Sequence, residues 1–209
     1  DTELYKTLPE RTLSRRKFGW ESNLFVLGYA GVLGHAQRLD QILDAAVLLK
    51  DLREIHFALI GDGPCREALM ERINRENISN VKIYPKVKSE EMPGVYVGMD
   101  CGCVPLGKEK VFRGARPSKM FEMMAAGLPI LLCAEGEAAE IVRAPLEGPA
   151  GFVVAPEDPK AIAETVRRII AQKKDLVQMG VRGRNYVFER FDRGKIALDL
   201  EKELIAVNS

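Results

Sequence analysis

Apolar segments too short for buried helices and too continuous for half-exposed strands recur along this chain, and they constrain its architecture most. They are Leu24–Tyr29 (LFVLGY), Ile55–Ile60 (IHFALI), Val81–Tyr84, Cys101–Pro105, Pro129–Cys133 and Phe152–Val154. A strand with one wet face alternates polar and apolar residues; a strand that does not is covered on both faces, as in a parallel sheet. Between these runs lie segments of helical period. Arg38–Lys50 places Leu39, Ile42, Leu43, Ala46 and Leu49 on one face. Arg66–Glu76, a short helix opened by an N-cap at Ser89-Glu90-Glu91, Ser118–Ala126, Glu137–Arg143 and a helix from Asp158-Pro159 to Ala171 follow. Alternating strands and helices with right-handed crossovers give an α/β fold, a doubly wound six-stranded parallel sheet with expected order 3-2-1-4-5-6. Two extra C-terminal helices, near Lys174–Arg190 and Asp192–Val207, complete it, the first weakened by Gly180 and Gly183.

The remaining composition excludes several classes. A chain of 209 residues, 46% hydrophobic and 29% charged, is an ordinary globular sequence with room for one substantial domain. Its net charge of +1 supplies no field for nucleic acid or an anionic membrane. No apolar run reaches the roughly 18 residues needed to span a bilayer. Cys65, Cys101, Cys103 and Cys133 sit on or beside apolar segments, which reads as buried free thiols in a reducing cytosol. Cys101-x-Cys103 has no second pair and no close His, so no metal site is expected. The first residue is Asp1, and the chain reads as an excised piece of a longer protein. Residues 1–22 have a weak pattern around Arg11, Arg15, Arg16 and Lys17, expected as a solvated linker rather than a membrane- or partner-binding patch.

Chemistry gathers where the strand order reverses, at the carboxyl ends of strands 1 and 4. After strand 4 comes Arg113–Pro129, RGARPSKMFEMMAAGLP. Pro117 bends the approach, Ser118 is the expected N-cap, and Gly127 stops the helix. A helix N-terminus offers unpaired N–H groups and a positive dipole end to a phosphate. Lys119 adds a cation, and Glu122, one turn on, can accept two ribose hydroxyls. Lys and Glu so spaced on a helix also describe an ordinary solvated face. The basic Gly/Pro loop before this helix and the apolar strand after it favour a ligand. After strand 1, Gly31-Val32-Leu33-Gly34 is a Gly-rich turn, weak by itself as a phosphate signal. His35 reads equally as a phosphate neighbour and as an exposed loop residue. His56 reads as a core or strand-end histidine, and Asp62, in Gly61-Asp62-Gly63, as a turn residue rather than a ribose-binding acid.

With these residues in place, the chain resembles the C-terminal, donor-binding half of a GT-B retaining glycosyltransferase of family 4, of the branch that serves bacterial polysaccharide assembly. The resemblance is carried by Asp1–Lys6, Tyr29–Gly34, Ile60–Pro64, Pro117-Ser118-Lys119 with Glu122 and Ala125–Pro129, and Gly151–Val154 with Asp158-Pro159. It implies a Rossmann-like domain over 23–190, preceded by an interdomain linker or domain start at 1–22. A helix at 191–209 would return toward an N-terminal domain. It further implies that Glu122 holds the donor ribose and that Ser118 and Lys119 amides face Gly31–Gly34 across the diphosphate, with Lys86 and Val87 bordering the base. The first acid of the family's paired-Glu motif falls on Gly114, and the usual basic pair of the first loop on Val32 and Gln37. Arg38, Arg113, Arg116 and Lys119 are therefore the candidates for diphosphate charge. The implied activity is transfer from a UDP- or GDP-type sugar donor to a glycan or lipid-linked acceptor, with no cofactor and no metal; no Asp-x-Asp occurs. Catalytic residues are expected outside this chain, in a cytoplasmic protein, peripheral at the inner membrane where its acceptor is a lipid. A nucleotide-sugar epimerase or hydrolase of related fold and a non-catalytic interaction module are the alternatives. A dehydrogenase is disfavoured by the missing fingerprint glycines.

Overall fold

Burial on both faces is what the strand composition demands, and the sheet satisfies it. The computed structural model describes residues 2–207; Asp1 and residues 208–209, included in the expected N-terminal linker and C-terminal helix, lie outside the described residues. Strands β1 (Phe25–Ala30), β2 (Ile55–Ile60), β3 (Val81–Tyr84), β4 (Cys101–Pro105), β5 (Ile130–Cys133) and β6 (Gly151–Val154) are all parallel in the order β3-β2-β1-β4-β5-β6. The helices are α1 (Arg11–Phe18), α2 (Asp40–Leu48), α3 (Arg66–Arg75), α4 (Met92–Gly98), α5 (Ser118–Ala125), α6 (Glu137–Arg143), α7 (Pro159–Ala171), α8 (Leu176–Arg190) and α9 (Arg193–Val207). On one face Phe25, Leu27 and Tyr29 of β1 meet Leu39, Ile42 and Leu43 near α2 and Ile162, Val166 and Ile169 of α7. On the other, Val26 and Ala30 meet Val95 and Tyr96 of α4 and Met120, Met123 and Met124 of α5.

Pairing across the sheet is uneven in a way that matters. β1 pairs with β2 along its whole length, Phe25 to Ala30. With β4 it pairs only at Leu27–Cys101 and Gly28–Gly102. Beyond those pairs Tyr29–Ala30 and Cys103–Pro105 run on unpaired with each other, and the loops they feed leave toward opposite faces.

The loops after β1 and β2 are locked together. Gly31 N–H donates to the Ile60 carbonyl (2.9 Å), Leu33 N–H to that of Asp62 (2.8 Å), and Cys65 N–H to that of Leu33 (2.9 Å). Gly61 has φ +147°, and a Cβ there would lie 1.9 Å from the Gly31 carbonyl oxygen. Only a residue without a side chain fits.

The N-terminal segment is packed on the domain rather than solvated. Tyr5, Arg15 and Trp20 are buried, and residues 11–18 form α1, packed on α4. Arg15 donates to the carbonyls of Gly98 (3.0 Å), Glu21 (2.6 Å) and Leu24 (2.8 Å) and to Asp100 (3.1 Å). Arg11 donates to the Val97 and Met99 carbonyls (2.8 and 2.5 Å) and to Asp100 (2.7 Å). These arginines satisfy the carbonyls that end α4, while Asp100 also accepts the Val26 N–H (2.7 Å). Two smaller corrections follow. Ser118 is the first helical residue of α5, with Pro117 before it and no side-chain cap. Gly180 does not merely weaken α8: a Cβ there would fall 2.0 Å from the Gly127 carbonyl oxygen, so the glycine lets α8 lie directly on the end of α5. His56 is structural, with Nε2 2.9 Å from the Tyr84 hydroxyl; burial, with Lys82 and Arg15 nearby, lowers its pKa to about 4 and keeps it neutral. Cys101, Cys103 and Cys133 are buried free thiols, and Cys65 is half-buried.

Two substitutions test this framework. Arg15→Met removes the donors from buried carbonyls and from Asp100 and is expected to cost about 3 kcal/mol, a fall in melting temperature of roughly 6–12 °C by calorimetry. Gly61→Ala places a methyl against the neighbouring loop at a positive φ and is expected to cost more than about 2 kcal/mol in urea unfolding; an unchanged midpoint would show that the two loops separate freely.

Candidate functional site

Where β1 and β4 part, a crevice of about 670 Å³ opens at the carboxyl ends of the strands. Its floor is Ala30 at the end of β1 with Gly31 and Val32 after it, and Ile60 at the end of β2 with Gly61–Gly63 after it; Lys86 and Val87 after β3 form one wall, and Ser118, Lys119 and Glu122 of α5 the other. A smaller hollow of about 250 Å³ lies on the far side of Ser118 and Glu122.

Helix α5 is presented rigidly, through Met120, Met123 and Met124 buried beneath it and α8 packed along it. With no side chain capping it, its N-terminus and positive dipole end lie at the crevice that Gly31 and Val32 also line. Lys119 bridges the two sides. Its Nζ donates to the Tyr29 hydroxyl (2.5 Å) and lies 4.2 Å from the centre of that ring, and the hydroxyl in turn donates to the Val32 carbonyl (2.6 Å). Burial lowers the Lys119 pKa to about 8, partly offset by the attraction of Glu122. Burial likewise pushes the Tyr29 hydroxyl upward, so it stays protonated.

Glu122 is half-buried and borders the crevice rather than turning into the core. The hydroxyls of Tyr5 and Tyr96 both donate to its Oε2, each at 3.3 Å. Burial raises both tyrosine pKa values, and the nearby carboxylate raises them further.

Of the residues singled out in the sequence, the structure brings Gly31, Val32, Lys86, Val87, Ser118, Lys119 and Glu122 together around the crevice. The others it does not. Gly34 lies in the turn behind the lining, where its carbonyl accepts from Gln37 N–H (3.4 Å). Arg38 pairs with Glu109 and, at 3.6 Å, with Glu157. Arg113 pairs with Glu135 (2.9 Å) and Arg116 with Glu137 (2.5 Å). The structure thus leaves these three arginines, expected to carry diphosphate charge, outside the crevice lining, each paired with a carboxylate. His35 is exposed, with Nδ1 3.4 Å from the Cys65 sulfur. Asp62 is a turn residue, its Oδ1 accepting from Gly63 N–H (2.8 Å), yet it also borders the crevice. Sequence reasoning missed Gly61–Gly63 as lining and the three tyrosines altogether. The Gly-Asp-Gly turn was a visible signal; the tyrosines, inside or far from the motif, gave none. Among the described residues no cluster of three or more His, Cys, Asp or Glu is placed to hold a metal ion, and no helix is long and apolar enough to cross a membrane.

Comparison with known proteins agrees with this fold. Residues 10–186 match the family of glycosyl transferases group 1. WcaI of Escherichia coli (strain K12), assigned to colanic acid biosynthesis as a glycosyl transferase, is 25% identical over 121 residues, 58% of this chain and 29% of its own length. Sucrose-phosphate synthase from Thermosynechococcus elongatus superposes with TM-score 0.80 at 21% identity, over 99% of this chain and 51% of that one. HepE of Anabaena, in complex with UDP and glucose, superposes with TM-score 0.78 at 21% identity, over 98% and 54%. The C-terminal domain of the group 1 glycosyl transferase LpcC from Francisella tularensis is matched along 98% of its length by 92% of this chain, at TM-score 0.73 and 18% identity. The chain thus spans under a third of its curated relative and about half of the full-length structures it resembles. On the family match across most of its length, with the fold of a GT-B C-terminal half, this chain belongs to the group 1 glycosyl transferases.

Proposed function

We propose that the crevice binds the nucleoside diphosphate of a sugar donor, of UDP or GDP type, for hexosyl transfer with retention to a glycan or lipid-linked acceptor. The observation that carries this reading is the convergence of an uncapped helix N-terminus, Lys119 and Glu122 on one opening at the strand-order reversal. The diphosphate lies between Gly31–Val32 and the first turn of α5. Glu122 accepts the ribose hydroxyls, and Lys86–Val87 borders the base. The UDP-bound state of HepE, a protein of the same fold, supports a uridine nucleotide as the first ligand to try.

In transfer, negative charge grows on the departing diphosphate. Backbone N–H groups, a helix dipole and a fixed ammonium stabilise such charge without reorganising, and a metal is not required for that work. The acceptor pocket and general base belong to a part of the protein outside this chain. The chain by itself binds donor and does not turn it over.

Calorimetric titration with UDP and GDP tests the site. One nucleotide is expected to bind, with Glu122→Ala losing about tenfold or more in affinity, as deletion of a charged hydrogen-bonding partner does. Equal binding by Glu122→Ala would remove that residue from the site, and silence with every nucleotide would undo the proposal.

The low Lys119 pKa gives a pH signature. Free Lys119 loses its proton near pH 8, whereas a bound diphosphate favours the ammonium and moves the pKa back up. Affinity therefore falls as pH rises above about 8, and binding at pH 8.5 takes up part of a proton. Titrations in two buffers of different ionisation enthalpy should show this uptake in the wild type and none in Lys119→Met. In folding the sign is opposite: the unfolded lysine holds its proton up to its ordinary value of 10.5, so Lys119's contribution to stability improves as pH rises from about 8 toward 10.5.

A further inference from the structure

Glu122 is held by groups that reach it from two distant parts of the chain. Tyr96 comes from α4, and Tyr5 from the segment that precedes α1. Both rings are buried, packed side by side with centroids 6.2 Å apart. Both hydroxyls converge on one carboxylate oxygen, so Oε1 accepts no hydrogen bond among the described residues. Tyr5 is itself fastened: Arg184 of α8 donates to the carbonyls of Tyr5 (2.8 Å) and Lys6 (3.3 Å), and its other nitrogen donates to the Ala125 carbonyl that ends α5. Thr2 donates to Asp192 at the start of α9. The segment carrying Tyr5 is thereby tied to the helix carrying Glu122.

A carboxylate on a helix has several rotamers, and a ligand that needs one of them loses affinity in proportion to the time spent in the others. Two donors on the same oxygen select one rotamer while leaving the second oxygen to a ligand. Neutral donors do this without cancelling the charge, which an arginine would do. We infer that Tyr5 and Tyr96 are positioning residues for Glu122, holding its carboxylate ready for a vicinal diol, so that the N-terminal segment forms part of the nucleotide site. This rests on the proposed role of Glu122 at the ribose.

The test compares UDP with 2′,3′-dideoxy-UDP, which lacks the diol, on the whole 209-residue chain, with Tyr5→Phe, Tyr96→Phe, Glu122→Gln and the packing control Tyr5→Leu. Melting temperatures of the Phe variants close to the wild type establish that the fold is kept. The wild type is expected to prefer UDP, and Glu122→Gln to lose that preference. Each Phe variant should then bind UDP about three- to tenfold more weakly, with dideoxy-UDP binding unchanged. If the tyrosines only fill space, Phe will restore what Leu loses and will bind UDP as the wild type does; that result overturns the inference while Glu122→Gln still upholds the ribose role. A wild type that binds both nucleotides equally overturns the ribose role, and the positioning role with it.

Discussion

Parallel strands cannot reverse their order without parting somewhere, and here they part between β1 and β4. The two strands share only the pairs Leu27–Cys101 and Gly28–Gly102. Past that point their loops lead to helices on opposite faces, and the Lys119 side chain of α5 reaches across the gap to the Tyr29 hydroxyl. The crevice is thus a consequence of chain topology before any residue in it is chosen. Sequence then decides what lines it. A glycine at position 61 lets the loops after β1 and β2 touch backbone to backbone, which holds Gly31–Val32 as a fixed rim. The buried methionines of α5 and the close seating of α8 at Gly180 fix the opposite rim. An N–H group stabilises an anion most when it need not reorganise on binding, and both rims are braced by packing and backbone hydrogen bonds.

Electrostatics sharpens the same design. Arg38, Arg113 and Arg116 lie near the mouth in sequence, yet each faces a glutamate. Exposed pairs of this kind contribute little to stability, but they cancel charge locally. What remains directed into the crevice is the α5 dipole, Lys86 and Lys119. Of these only Lys119 is held away from water, and its lowered pKa records that its charge is not fully compensated by the protein. An arriving diphosphate would supply the compensation.

Periodicity made the sheet legible, because six short apolar runs separated by segments of helical period fit strands buried on both faces. β3, β4 and α6 were read to the residue. The helix α1 was not: RTLSRRKF has only two large apolar side chains, and its reason for being helical lies in the carbonyls of Val97, Gly98 and Met99, more than eighty residues away in sequence. The arginine–glutamate pairs were not legible for the same reason: Glu109 and Glu135 on loops and Glu137 at the start of α6 meet their arginines only through the tertiary fold. Local motifs such as Ser118-Lys119 with Glu122 survive translation into structure because one helix turn contains them. A residue such as Tyr5, bonded to Glu122 but separated from it by 117 positions, has no local signature to find.

The tyrosines also explain how two charged groups can be part-buried at the crevice and remain usable. A buried charge without a partner is strongly disfavoured, and one paired with an opposite charge is satisfied but no longer available to a ligand. A phenol offers a third arrangement, in which the ring contributes apolar burial while the hydroxyl tip makes one hydrogen bond and leaves the net charge intact. Tyr29 does this for Lys119 as acceptor, and Tyr5 and Tyr96 for Glu122 as donors. A charged partner in place of any of them would cancel that charge and weaken its attraction for a ligand of opposite sign. The arginine–glutamate pairs thus meet in water outside the lining, whereas the part-buried charges of Lys119 and Glu122 within it are held by tyrosines that leave them charged.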